Sequence, residues 1–339
     1  MPMVSVVIPA WQDASVLARC LESLRHVEYP EWECLIIAGG TDGTYDLARS
    51  LTRDWANFRV VEQAPKGKNA ALNRGVNASK GQVVVLLDAD CRVSRTWLSQ
   101  LVAPLEQGAA ATTGNYSPVH PSWISDYFML RKIQDYEILR KDSLFGGGSI
   151  ALTRAVVEAL GGFPEDVHTG VDWDLDARLE RLGAKKQFVG EASIETELPR
   201  TVRQFLANEV RWQRARLVSF WRHREVFLSR PSKAIKNLYI YLLSTTFCVL
   251  PIAGALLLPF DRGAGLVVLC LFALLCFWVG AREMSLGPAA YAATGDTKWI
   301  GCTLYVPILV FLGLIASFVA ILTSGAQPIH FKGPRPVMK

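Results

Sequence analysis

Apolar and polar positions alternate in blocks from the amino terminus to about Leu228, then give way to long uncharged runs. In the first part, Val4–Ile8, Glu33–Ile37, Phe58–Val61 and Val83–Leu87 are short apolar runs rich in β-branched residues, the pattern of strands buried on both faces. Between them, Ser15–Val27, Tyr45–Thr52 and Asn69–Ser79 carry apolar residues at helical spacing. Strands and helices in alternation predict an α/β domain on a mostly parallel sheet. Ala109–Thr113 and Ser149–Leu152 read as further strands, and Ser122–Arg140, Thr153–Leu160 and Val171–Leu182 as helices. Gly161-Gly162-Phe163-Pro164 and Gly183 are the stops expected after the last two.

The carboxy-terminal part has a different character. Leu238–Phe260, Ala264–Ala281 and Ile300–Leu322 carry no charged residue, and each is about long enough to cross ~30 Å of hydrocarbon at ~1.5 Å per residue. The net charge of +5 is concentrated just before them: Arg200–Lys236 holds ten basic residues and two acidic ones, Glu209 and Glu225. Thr201 is placed to cap a helix running to about Leu228, with aromatic residues interleaved with arginines. Such a helix suits a membrane interface or a packed position on the preceding domain. Positive charge beside an apolar span marks the cytosolic side and attracts anionic headgroups; the spans make nucleic acid the weaker partner. Met1-Pro2-Met3 runs directly into a strand, so no signal peptide is expected and the first domain is placed in the cytosol, at the cell inner membrane. The seven cysteines lack zinc-ligand spacing and fit free thiols in a reducing compartment. Three crossings would leave Lys332, Arg335 and Lys339 outside, against the positive-inside rule. Ala264–Ala281 and Leu286–Ala293 are the segments that conflict singles out.

The strand Val83–Leu87 runs straight into Asp88-Ala89-Asp90, at the end of a strand where open α/β sheets bind ligands. Carboxylates this close repel, and a divalent cation relieves that repulsion while keeping positions open for phosphate oxygens. Mg²⁺ or Mn²⁺ is the expected cofactor. Rival phosphate-binding motifs are missing: Pro9-Ala10-Trp11-Gln12-Asp13 is not a G-x-G-x-x-G turn, and Gly67-Lys68 lacks the rest of a Walker loop.

Val6-Val7-Ile8-Pro9-Ala10, Gly67-Lys68-x-x-Ala71-Leu72-Asn73 and Leu87-Asp88-Ala89-Asp90 resemble, in order, the landmarks of family 2 glycosyltransferases with a GT-A fold. Gly146-Gly147-Gly148-Ser149, Gly161-Gly162-Phe163, Val171-Asp172-Trp173-Asp174-Leu175 and Asn208-Glu209-Val210-Arg211-Trp212 resemble the acceptor half and the Q-x-x-R-W element of that family. The resemblance implies a nucleotide-sugar donor (UDP- or GDP-sugar) bound by Pro9, Ala10, Asp13, Lys68, Asp88 and Arg211, with Asp90 holding the metal. It implies Asp172 as the general base of an inverting transfer, and Gly147, Gly148 and Trp212 on the acceptor side. Among the neighbouring acids, Asp176 is the rival to Asp172, because it lies four residues further along a helix. The element with carboxy-terminal spans is similar to ceramide glucosyltransferase-like enzymes and processive synthases. A membrane lipid or lipid-linked acceptor is the expectation, with a processive polysaccharide synthase or a non-catalytic membrane scaffold as alternatives. The expected organisation is a cytosolic GT-A domain over 1–200, a basic interfacial region over 201–236, transmembrane helices over 237–325 and a basic tail over 326–339. Three positions depart from the family pattern. Ala38 stands near the acid that usually reads the base, in a turn that is a residue short; Val171 replaces an acidic residue; and Asn208 replaces a glutamine.

Overall fold

The computed structural model describes residues 1–138, 148–229 and 231–324. In chain order the elements are β1 (Val4–Trp11), α1 (Ala14–Arg25), β2 (Trp32–Gly39), α2 (Thr44–Thr52), β3 (Phe58–Glu62), α3 (Lys68–Ala78), β4 (Val83–Leu87) and β5 (Arg92–Val93). They continue with α4 (Trp97–Glu106), β6 (Ala111–Pro118), α5 (Trp123–Ile133), β7 (Ser149–Thr153), α6 (Arg154–Leu160), α7 (Val171–Arg181) and β8 (Lys186–Thr196). The last are α8 (Val202–Arg222), α9 (Arg224–Leu228), α10 (Pro231–Leu257), α11 (Arg262–Met284), α12 (Leu286–Thr294), α13 (Lys298–Cys302) and α14 (Val306–Leu322).

The elements fall into two compact units. The first, over 1–119 and 148–198, is a sheet in the order β3-β2-β1-β4-β7-β6-β8-β5 with helices on its faces. The pairs β1–β2, β1–β4, β2–β3 and β6–β8 are parallel; β4–β7, β6–β7 and β5–β8 are antiparallel. All five residues of β4 are buried, as its unbroken apolar run requires of a strand covered on both faces. One face packs Val6, Ile8, Leu17, Ile36, Val85 and Trp97; the other packs Val7, Leu35, Ile37, Leu72, Val84 and Leu175. The strand-end loops of β1, β2 and β4 thereby open on a common edge.

The second unit, over 120–138, 199–229 and 231–324, is helical. Ser122 begins α5 with a capping box, its Oγ accepting from Ser125 N at 3.1 Å. The helix expected over Ser122–Arg140 ends at Ile133 and passes into a π-helical turn, Gln134–Ile138; its last two residues lie outside the described residues. Arg131 binds α5 to the end of α11 through Glu283 at 2.7 Å, and Tyr305 donates to Asp126 at 3.1 Å. Thr201 caps α8 as expected, in a capping box with Gln204. That helix stops at Arg222, with His223 and a short α9 following, rather than running unbroken to Leu228.

Two helical stretches, Leu238–Leu257 and Arg262–Thr294, are long and apolar enough to cross a membrane. The expected span Ile300–Leu322 is divided, with α13 ending at Cys302 and the apolar α14 beginning at Val306. Pro307 explains the restart: it cannot donate into a preceding turn and is tolerated at a helix start. The 17 residues of α14 fall short of the other two. Ala264–Ala281 lies inside a helix of 23 residues, so the shortness it shows in sequence is made good by its flanks.

Candidate active site

The site is built at the carboxyl ends of β1 and β4 and the amino ends of α3 and α7. β4 delivers Asp88 and Asp90 into a turn held by its neighbour: Asp88 N donates to Gly148 O at 2.8 Å. Gly148 is glycine for a packing reason. A Cβ there would lie 2.5 Å from Cys91 Sγ and 3.5 Å from Asp88 Cβ. Its place is therefore under the acidic turn, and Gly147 lies outside the described residues.

Gly67, at φ 93°, starts α3 and places Lys68 in its first turn. Lys68 Nζ meets Asp88 Oδ1 at 2.5 Å, with side chains 40% and 38% exposed. At that exposure an ion pair contributes about 0–1 kcal/mol to stability, so its effect is to fix both groups. Burial pulls the Lys68 ammonium down, but Asp88, then Asp172 and Asp90, outweigh it and hold the group above the usual lysine value. Lys68 thus feels three carboxylates from two strand-and-helix junctions.

The three acids of α7 divide by environment. Asp174 is buried and pairs with Arg178 at 3.7 Å; Asp176 is buried and pairs with Lys186 at 2.5 Å. Asp176, the sequence rival, is thereby committed to the core. Asp172 stays partly exposed in the first turn of α7. Burial raises its pKa, Lys68 and the backbone N–H groups of Trp173 and Asp172 pull it down, Asp88 raises it, and the net direction is upward.

Asp13 is buried, and its Oδ2 accepts from Trp11 N at 3.0 Å while its own N–H donates to Thr44 at 2.9 Å. The carboxylate thus shapes the turn that presents Trp11. Ala10 is fully buried in the core, and Pro9 is partly exposed at the end of β1. Cys20, beneath the site, has its thiol pushed far up by burial and then by Asp90, Asp88 and Asp13. Asp88 and Asp90 act on both Cys20 and Lys68, so negative potential gathers around the turn after β4. Among the described residues there is no group of three His, Cys, Asp or Glu that could hold a metal alone. Asp88 and Asp90 are the donors that would fit a cation held by one or two carboxylates and completed by phosphate oxygens.

The sequence reading missed how the donor and acceptor motifs are joined. Asn73 accepts from Phe163 N at 2.7 Å and donates to Phe163 O at 2.8 Å. Asn69 donates to Pro164 O at 2.6 Å and Val167 O at 3.2 Å. A Cβ on Gly162 would sit 2.8 Å from Asn73 Oδ1, so the asparagine and the Gly-Gly-Phe turn are one device. His168, carried by the same loop, stands beside Gly67: its Nδ1 is 3.5 Å from where a Cβ would be. The signal available was the presence of both Asn73 and Gly161-Gly162-Phe163 in the motifs of the sequence.

Arg211 and Trp212 belong to the helical unit. Arg211 reaches Asn208 Oδ1 at 3.4 Å, one helical turn back, and Trp212 packs edge-on against Phe128 at 5.5 Å between ring centroids.

Comparison with known proteins bears on this geometry. The model of Glycosyl transferase family 2 matches residues 5–160, and that of Glycosyl transferase family group 2 matches 83–322, most of the chain. The chain is a family 2 glycosyltransferase. This family 2 glycosyltransferase is 28% identical over 196 residues to Glycosyltransferase AglE of Haloferax volcanii, covering 56% of this chain and 64% of that one. It is 27% identical over 195 residues to Beta-monoglucosyldiacylglycerol synthase of Nostoc sp., covering 53% of this chain and 41% of that one. The chain thus spans less than two thirds of the length of these curated relatives. The fold is that of mannosyltransferase PcManGT from Pyrobaculum calidifontis, solved in complex with GDP-Man and Mn²⁺. Its TM-score is 0.60 at 20% identity, over 95% of this chain and 87% of that one.

Proposed function

We propose that this family 2 glycosyltransferase transfers one sugar, with inversion, from a nucleotide-sugar donor to a membrane lipid at the cytosolic face of the membrane. The observation that carries the reading is the division of labour in α7. Asp174 and Asp176 are buried in ion pairs, while Asp172 is left partly exposed beside Lys68 and Asp88 with a raised pKa. A base poised closer to the working pH than an ordinary aspartate is what removal of a hydroxyl proton calls for. In this reading Asp172 takes the acceptor proton as the oxygen attacks the anomeric carbon. The attack comes from the face opposite the leaving diphosphate, which inverts the configuration.

Asp90, assisted by Asp88, is the residue assigned to a Mg²⁺ or Mn²⁺ ion on the diphosphate. When bound, the ion supplies Lewis-acid stabilisation of the leaving group. Lys68 holds Asp88 in place, and Pro9, Ala10 and Asp13 shape the donor pocket. Arg211 is assigned to the developing charge on the diphosphate, Gly147 and Gly148 to the acceptor-side turn, and Trp212 to the acceptor wall. The similarity to the Nostoc Beta-monoglucosyldiacylglycerol synthase and the two apolar stretches support a lipid acceptor and a membrane location. Two crossings return the chain to its starting side, in agreement with Lys332, Arg335 and Lys339 in the tail.

The test is to present UDP- and GDP-sugars with a membrane lipid extract and Mn²⁺ to the purified full chain. A single sugar on lipid, of inverted anomeric configuration, is expected. Retained configuration, a ladder of polymer, or transfer only to soluble acceptors would refute the reading.

A further inference from the structure

Two Lys–Asp pairs of equal length differ in setting. Lys186 and Asp176 meet at 2.5 Å with side chains 8% and 4% exposed, and a pair so buried is broken only by stranding a charge. Lys68 and Asp88 meet at the same 2.5 Å, but their side chains are 40% and 38% exposed. Water reaches both partners, so each can leave the other with little penalty. The first pair is structural, whereas the second can exchange.

The surroundings of the second pair decide which partner moves. Asp88 lies in a turn fixed by backbone hydrogen bonds: its N–H donates to Gly148 O at 2.8 Å, and Cys91 N donates to Asp88 O at 3.1 Å. On the other side, α3 is held by Asn69, which donates to Pro164 O at 2.6 Å, and by Asn73, which accepts from Phe163 N at 2.7 Å. Turn and helix are thus both anchored, and the freedom that remains lies in the four-carbon stem of Lys68. Its ammonium faces three carboxylates, because Asp172 and Asp90 act on it along with Asp88. A divalent cation offered alone meets an ammonium already on Asp88, and a diphosphate offered alone meets the carboxylates. Offered together, their charges cancel and each finds an opposite partner.

Resting on the proposed glycosyl transfer, we infer that Lys68 is an exchangeable counter-ion that makes binding of the cation depend on the diphosphate. Before the donor arrives, Lys68 neutralises Asp88 and weakens the pull of the acidic turn on a free Mg²⁺ or Mn²⁺. With the donor, Lys68 passes from the Asp88 carboxylate to the phosphate oxygens and leaves Asp88 to the cation. Two ion pairs thereby trade partners. The ammonium suits this exchange: it is a point charge with rotatable donors, where a guanidinium fork would hold the carboxylate at two points. In consequence cation and diphosphate raise each other's affinity by one and the same factor.

The test is Mn²⁺ binding to the full-length chain in detergent, read by electron paramagnetic resonance, alone and with saturating GDP or UDP. Wild type is expected to bind Mn²⁺ at least ~10-fold tighter with the nucleoside diphosphate than without it. Lys68→Met should bind Mn²⁺ alone at least ~10-fold tighter than wild type, because the competing charge is gone. The same variant should bind the nucleoside diphosphate, followed by calorimetry, at least ~10-fold more weakly. Lys68→Arg, which keeps the charge, should bind Mn²⁺ alone no tighter than wild type. A purely structural role for Lys68 would weaken both ligands together, so opposite signs are what the exchange requires. Equal Mn²⁺ affinity of wild type with and without nucleotide, Lys68→Met with unchanged or weaker Mn²⁺ binding, or Lys68→Arg as tight as Lys68→Met would overturn the exchange. Failure of wild type to bind Mn²⁺ with either nucleotide present would instead overturn the metal-dependent transfer on which it rests.

Discussion

At the residue scale, the central distinction is among three aspartates on one short helix. Asp174 and Asp176 are neutralised by Arg178 and Lys186, and Asp172 is held between the attraction of Lys68 and the penalty of burial. The sign of that balance gives a pH dependence. Because the net shift of Asp172 is upward, its base form is lost as pH falls through a value above that of an ordinary aspartate. The acid limb of kcat/KM is therefore expected at higher pH than an ordinary aspartate would give in a pH–rate profile. Removing the cation that opposes the shift, with Lys68→Met, should move that limb to still higher pH. An unmoved limb would mean that Asp172 is not the titrating base. The acidic end of β4 was legible in the sequence because five apolar residues in a row leave little choice but a buried strand. The assignment of Asp172 as base came from resemblance alone. The clamp of Asn73 on Phe163 was not legible: it joins residues far apart in sequence, which no local pattern encodes.

At the element scale, α3 does more than carry Lys68. Asn69 and Asn73 tie it to the loop after α6 through four hydrogen bonds to backbone, and Arg178 donates to Gly162 O at 2.8 Å from the side of α7. The loop that leads to Asp172 is thus fixed to the helix that bears the lysine. Asn73→Ala leaves a buried N–H and C=O of Phe163 without partners, and a loss of about 1–3 kcal/mol in denaturant unfolding is expected. A measured loss under ~0.5 kcal/mol would show the clamp to be incidental. Buried Glu209 on α8 makes the opposite case. Burial raises its pKa, against the pull of Gln213, Arg216 and Arg131, so its charged form opposes folding. Glu209→Gln should raise the melting temperature at pH 7, with the gain fading toward pH 4 as the native carboxyl takes up its proton. An unchanged or lowered melting temperature at pH 7 would contradict this. The strand β8 escaped the sequence reading for a physical reason. Gly190 and Glu191 interrupt its apolar alternation, and the β6–β8 register shifts between Gly114 and Asn115. Eight residue pairs with β6 supply what the pattern withholds.

At the scale of the whole molecule, the chain joins an α/β unit to a helical unit whose outer surface is apolar. Phe260, Leu274 and Phe277 are 89%, 64% and 76% exposed, a surface that water does not favour and hydrocarbon does. Full-length protein should stay in the membrane pellet after extraction at alkaline pH. Its release to the supernatant would exclude integral insertion. Sequence hydropathy found these stretches but overcounted the long ones, because Pro307 and the turn before it divide the last run in a way that composition alone does not register. Transfer chemistry and membrane position meet in one decisive experiment, the Asp172→Asn variant of the full chain, followed for sugar transfer to lipid and for nucleoside diphosphate binding. Transfer is expected to fall ~10²- to 10⁴-fold, with binding kept within about twofold, because the substitution removes the base and preserves the shape. Wild-type transfer by the variant, or loss of transfer and binding in parallel, would contradict the account.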